Sequence, residues 1–150
     1  MIQVHCPDEA ATESLGARLA ANLRPGDVIL LAGGLGAGKT LFTRGIATGL
    51  GVDEPVLSPS FVLVREYRSG FMPIVHVDVY RLGSLNEFDD LDVFELARDG
   101  VLIVEWGPAV EMLLPADHLR VEFAVHSDSA RNLRFLGRGT WSSRDLSGIA

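Results

Sequence analysis

Apolar positions along the chain fall into two kinds of run. Val28–Ala32 and Val101–Val104 are apolar without interruption, which predicts strands covered on both faces. Elsewhere the spacing is helical: after Pro7-Asp8-Glu9, residues Leu15, Leu19 and Leu23 recur every four positions, with Ala11 and Ala20 beside them, until Pro25-Gly26 breaks the pattern. A second helix is predicted from near Lys39 to about Leu50, with Gly51 past its end. Ile2–Cys6, Val62–Tyr67 and Ile74–Val77 read as strands, and Arg68–Pro73 can turn the last two into an antiparallel hairpin. Leu85–Arg98 is helical in pattern but interrupted by acids, and Leu119–Val125 and Leu133–Leu136 read as two closing strands. Strands and helices that alternate around apolar strands predict an α/β fold whose sheet is parallel at its centre.

Composition narrows this picture. A chain of 150 residues with 47% hydrophobic content fits one domain with a real core. No repeat or linker divides it, so residues 1–150 are expected to form a single domain. The 13 Lys+Arg against 20 Asp+Glu give a net charge of −7. That is a poor field for unassisted binding to DNA or RNA, whose affinity comes largely from phosphate neutralisation; an acidic protein can still act on RNA through a basic partner. Cys6 is the only cysteine, which points to a reducing compartment. No run of 18 apolar residues occurs, and Asp8 and Glu9 stand where a secretory signal would be basic and apolar. The expectation is a cytoplasmic protein without a membrane segment.

The candidate chemistry begins where the first apolar strand stops. Gly33-Gly34-Leu35-Gly36-Ala37-Gly38-Lys39-Thr40 fits G-x-x-x-x-G-K-[ST], the phosphate-binding P-loop. Glycines let the backbone turn and expose consecutive N–H groups to an anion. The following helix aims its N-terminus at the same anion. Lys39 places a charge on the β and γ phosphates, and Thr40 offers a hydroxyl to Mg²⁺. The stretch is read as a nucleoside triphosphate site.

Two acids sit at the ends of apolar strands, Asp78 in IVHVDVYRL and Glu105 in VLIVEW. In P-loop proteins such an acid holds Mg²⁺ or orients the attacking water. Both fit, and the residues do not divide the two jobs. His76 and Asp78, two apart on a strand, share a face; a hydrogen-bonded His near the phosphates is expected rather than a zinc ligand. Arg81 is read either as a surface arginine or as a phosphate or partner contact. Tyr67 and Tyr80 read as packing, and Trp106 as core or as an aromatic that stacks on a base or partner. Ser58-Pro59-Ser60-Phe61 is a rigid turn carrying hydroxyls, in the chain region where GTPases keep a γ-phosphate switch. Arg131, Arg134, Arg138 and Arg144 give an acidic protein a basic end, read as solvated or as a docking surface for RNA or an acidic partner.

Four segments, GGLGAGKTLFTRG, SPSF, HVDVYRL and VEW, stand together in the order and approximate spacing of the bacterial TsaE (YjeE) proteins, which the chain resembles from Thr12 to about Trp106. Those are small ATPases of tRNA threonylcarbamoyladenosine synthesis. The resemblance implies a P-loop NTPase fold with a mixed sheet, ATP hydrolysis with Mg²⁺, and association with TsaB and TsaD, which meet the tRNA. It places the phosphates on Gly33–Thr40, with Leu41 beside them, and Mg²⁺ on Thr40. Ser58–Phe61 resemble the first switch, with Ser60 where Thr is common. His76–Leu82, including Tyr80 and Arg81, resemble the second switch, with Asp78 as its essential-looking acid. Glu105 resembles the Mg²⁺-linked acid and Trp106 the aromatic beside it; Thr12 resembles a threonine near the base. Lys39, Ser60, Asp78 and Glu105 are thus the candidate catalytic set. The chain departs from the family at Gly34, often Asp or Asn, at Leu41, often a second Thr, and at Pro108, where an acid is usual.

Three other readings compete. A small P-loop kinase needs an acceptor pocket and usually a basic lid, and no clear lid insertion is present. A GTP switch normally carries Asn-Lys-x-Asp, which is absent. A nucleotide-gated binding module would turn over negligibly; slow intrinsic hydrolysis is expected in any case if partners complete the catalytic geometry.

Overall fold

The computed structural model describes residues 1–34, 36–56, 64–79, 88, 92–105 and 111–149. The expectations for Leu35, Ser58, Ser60, Tyr80, Arg81, Trp106 and Pro108 lie outside the described residues. In chain order the elements are β1 (Ile2–Cys6), α1 (Glu9–Ala20), β2 (Val28–Ala32), α2 (Lys39–Gly49), β3 (Val64–Tyr67), β4 (Ile74–Asp78), α3 (Val93–Leu96), β5 (Val101–Glu105), β6 (His118–Val125) and β7 (Arg131–Arg138). Two 3₁₀ turns, Gly139–Ser143 and Ser147–Ile149, follow.

The seven strands form one sheet in the order β1-β7-β6-β2-β5-β4-β3. β6, β2, β5 and β4 run parallel. β3 closes one edge antiparallel to β4, as the predicted hairpin requires, and β7 and β1 close the other by antiparallel pairing. β2 and β5 are buried at every position, so each needs apolar side chains on both faces. Alternation then splits the core. Ile29, Leu31, Ile74 and Ile103 pack with Leu15, Leu19, Phe42 and Ile46 of α1 and α2. Val28, Leu30, Val75, Val77, Leu102 and Val104 pack on the opposite face with Phe88 and Val93. Each large apolar side chain so buried contributes about 1.5–3 kcal/mol.

The local signals explain where helices start and stop. Asp8 caps α1, its Oδ1 accepting from Ala11 N–H at 2.8 Å. The helix ends at Ala20, so Leu23 enters the core from beyond it rather than as a further helical turn. Of the predicted Leu85–Arg98 helix, the described helical segment is α3. Asp92 just before it has φ 54, a left-handed conformation that no α-helix continues through, so the acid-rich run is broken there.

α1 and α2 lie close enough that glycine is required at their crossing. A methyl group on Gly45 would collide with the Glu13 carbonyl and would stand 3.1 Å from Ala17 N. Gly45→Ala is therefore expected to destabilise the fold by roughly 1–3 kcal/mol, the usual cost of overpacking, seen as a lower thermal midpoint. An unchanged midpoint would mean that the helices separate without cost.

The four arginines of the basic C-terminal end divide: Arg134 and Arg138 stay exposed beside acidic partners, as a solvated reading expects, whereas Arg144 and Arg131 turn into the structure. Arg144 makes a bidentate pair with Asp27 at 2.6 and 3.0 Å, both side chains nearly buried, and stacks 3.7 Å over Trp141. Arg134 pairs with Glu122 at 3.3 Å, and Arg138 approaches Glu111 at 3.9 Å. Glu111 also accepts from Arg120 at 2.7 Å and lies 2.9 Å from His118 Nε2. Partial burial of the Glu111 carboxyl works to raise its pKa, but these partners outweigh it and hold it below the usual range. Arg131 turns inward to the glycine loop.

Candidate functional site

β2 delivers the chain to the glycine loop at its carboxyl end, where ligand sites of parallel α/β sheets form. Gly36 and Gly38 hold φ of 76 and 101, conformations in which a side chain would be strained. Gly38 is the residue before α2, and no side chain caps that helix. The first-turn N–H groups of α2 thus face the loop. Lys39, first residue of α2, is 6% exposed. Its Nζ folds back over the loop and donates to the Gly33 carbonyl at 2.6 Å. Thr40 and Leu41 follow, half-buried in the first turn. Thr43 is buried and donates to the Lys39 carbonyl at 3.0 Å, fixing the turn that carries the lysine.

Asp78 and Glu105 are the last residues of β4 and β5 rather than loop residues, and they pair directly across those strands. Glu105 is also in register with Leu31 of β2. Both acids share the alternation of Ile74 and Ile103, which places them on the face covered by α1 and α2. Each is 3% exposed. Burial pushes the Lys39 ammonium below the usual lysine range, and the carboxylates of Glu105 and Asp78 oppose that shift. The structure thus brings Lys39, Asp78 and Glu105 into one electrostatic unit at the loop.

His76 is fully buried on the same face, with Nε2 3.5 Å from Glu105 Oε2. Neither ring nitrogen has a hydrogen-bond partner. The expected hydrogen-bonded histidine is therefore corrected: His76 packs beneath Glu105, too far for a good hydrogen bond. Arg65, opposite His76 on β3, likewise has an unpartnered Nε. Thr12 on α1 is buried with its methyl side toward Gly38; its hydroxyl is 3.5 Å from the Asp8 carbonyl. Burial raises the Cys6 pKa, which suits an inert core thiol.

The donor set suits Mg²⁺. Among the described residues no three His, Cys, Asp or Glu side chains group as a metal cage. Mg²⁺ instead uses one or two carboxylates, waters and phosphate oxygens. The pair Asp78 and Glu105, with orphaned His76 nitrogens behind it, fits such a partly hydrated ion. Thr40, opening α2 beside the loop, is the residue of the motif that would add a hydroxyl.

Sequence reasoning placed Arg131 in the basic end, as solvated or as a docking residue, and missed its contact with the loop. Its side chain reaches the outer side of the loop, with Nε 3.1 Å from the Ala37 carbonyl and Nη2 3.0 Å from that of Gly36. No local pattern signals this, because the partners are 94 and 95 residues away.

A glycine loop between a buried parallel strand and a helix, with acids ending two strands of the same sheet, defines the P-loop NTPase fold. The solved structure described as "Crystal structure of Bacillus subtilus YdiB" superposes with a TM-score of 0.77 and 34% identity, covering 93% of this chain and 86% of that one. The family model described as "Threonylcarbamoyl adenosine biosynthesis protein TsaE" matches residues 6–133. The chain belongs to the TsaE family. The tRNA threonylcarbamoyladenosine biosynthesis protein TsaE of Streptomyces coelicolor is 45% identical, over 91% of this chain and 97% of its own. The protein of that name from Bacillus subtilis is 40% identical, over 89% and 82%. The family takes part in tRNA threonylcarbamoyladenosine biosynthesis. No helix among the described residues is long and apolar enough to cross a membrane.

Proposed function

We propose that the protein binds ATP with Mg²⁺ on the Gly33–Thr40 loop and hydrolyses it slowly, as a subunit that acts with TsaB and TsaD and reaches tRNA through them. The observation that carries this reading is the buried pair Asp78 and Glu105 facing Lys39 at the loop. Two buried carboxylates at adjacent strand ends beside a phosphate-loop lysine are the kind of acids that a hydrated Mg²⁺ shares with phosphate oxygens. A divalent cation with a triphosphate would complete the site.

In this reading the loop N–H groups and the N-terminus of α2 hold the phosphates. Lys39 leaves or shares the Gly33 carbonyl to neutralise the β and γ oxygens. Glu105, one strand from β2, holds the metal, and Asp78, one strand further, orients or deprotonates the attacking water. Bound Mg²⁺ would supply charge neutralisation on the transferring phosphoryl group. Ser60, Ser58, Tyr80, Arg81 and Trp106 take the switch and partner roles that the family resemblance assigns, and Thr12 takes that of a base contact. The residues of the loop and its acids act in the cytoplasm in this reading, where ATP and tRNA are both present.

The test combines calorimetry with capture. The protein is expected to bind Mg·ATP and release phosphate, faster when TsaB and TsaD are added, and to be retained by those subunits differently with ADP than with a γ-phosphate mimic. No heat of Mg·ATP binding, together with capture of neither subunit, would overturn the reading.

A further inference from the structure

We propose that Arg131 is a positioning residue for the phosphate loop, clamping it to the β6–β7 turn before any nucleotide arrives. The proposal rests on the phosphate-binding reading of the loop. Arg131 opens β7. On one side its guanidinium donates to Ala37 and Gly36, as above. On the other, Nη1 donates to the carbonyls of Ser127 at 2.8 Å and Ala130 at 2.9 Å, and Nη2 reaches that of Asp128 at 3.5 Å. The turn is itself braced by His126 N–H donating to Ala130 at 3.0 Å and by Ala130 N–H donating to Ser127 Oγ at 3.1 Å. A planar fork of five donors is thus spent on main-chain carbonyls of two segments far apart in sequence. A solvated arginine would not be held in this way.

The consequence follows from peptide planarity. The Ala37 carbonyl and the Gly38 N–H belong to one rigid plane and point opposite ways. Fixing the carbonyl on Arg131 turns the Gly38 N–H to the other side of the loop. The Gly36 carbonyl shares its plane with the Ala37 N–H, which donates to the Gly34 carbonyl at 3.2 Å and keeps the loop folded. A segment this rich in glycine has the largest backbone freedom to lose. Arg131 removes part of that freedom beforehand, which is how preorganisation raises affinity. Lysine in its place would keep the charge but not the fork.

The test uses the full chain with Arg131→Gln and Arg131→Lys. In nucleotide-free protein, amide exchange at residues 36–40 is expected to speed up about tenfold in both variants, with β2 and β5 unchanged. KM for Mg·ATP should rise about tenfold in Arg131→Gln and less in Arg131→Lys, with kcat within about twofold. In the parental protein the Arg131 Nε–H should be protected from solvent exchange, a measurement that needs no variant. Unchanged loop exchange in a folded variant, loss of protection spread over the whole sheet, or a freely exchanging Nε–H would each overturn the clamp. If the parental protein bound no Mg·ATP while the loop exchange still responded, the nucleotide reading would fail and the clamp would stand.

Discussion

Replacing Lys39 with alanine is expected to weaken Mg·ATP binding by roughly 30- to 1,000-fold, or about 2–4 kcal/mol, the range for losing a partly buried charge partner. The ammonium sits at the start of α2, bonded to Gly33 and flanked by Asp78 and Glu105. Under the proposed reading no other side chain of the Gly33–Thr40 loop carries a positive charge to take its place. The fold should survive, because α2 is held by Phe42 and Ile46 in the core rather than by the lysine. Calorimetry checks the affinity and circular dichroism the fold. Parental affinity in a folded variant would remove the loop from the site.

Asp78→Asn should separate binding from chemistry. The amide keeps the size of the carboxyl and its place opposite Glu105, so affinity should stay within about threefold. Turnover should fall about 10²–10⁴-fold, the range for a lost acid–base or water-orienting group. Single-turnover phosphate release with ATP prebound reads this directly. A parental rate would pass the role of Asp78 to another residue, and a collapse of affinity would make it a binding acid.

Much of this arrangement was legible because its causes are local. The unbroken apolar run of β2 declares a strand covered on both faces, and the glycines after it declare a backbone that must bend. Asp8 before α1 is a cap in sequence and in structure. The hairpin of β3 and β4 follows from two short apolar runs around Arg68–Pro73. What stayed hidden depends on contacts between distant segments. The Arg131 clamp joins positions that only the closed sheet brings together. Arg134, Arg138 and Arg144 read as a basic end because their acidic partners, Glu122, Glu111 and Asp27, lie on other elements. The want of a hydrogen bond at His76 is a matter of tenths of an ångström, below anything a residue pattern encodes. The helical pattern carried to Leu23 because periodicity registers which side chains are buried and not whether the backbone between them still coils.

The strand order has a consequence for how the chain is made. β1 lies beside β7, the strand of the sheet translated furthest after it, and pairs with it from Ile2↔Phe135 to Cys6↔Arg131. Synthesis proceeds from the N-terminus at about 5–20 residues per second, so β1 waits several seconds with an unsatisfied edge while its neighbour is translated. The same late residues bring the arginine that braces the phosphate loop. A nascent chain stalled before residue 131 would therefore carry the whole glycine motif yet lack its brace, and tight nucleotide binding would await the emergence of β7.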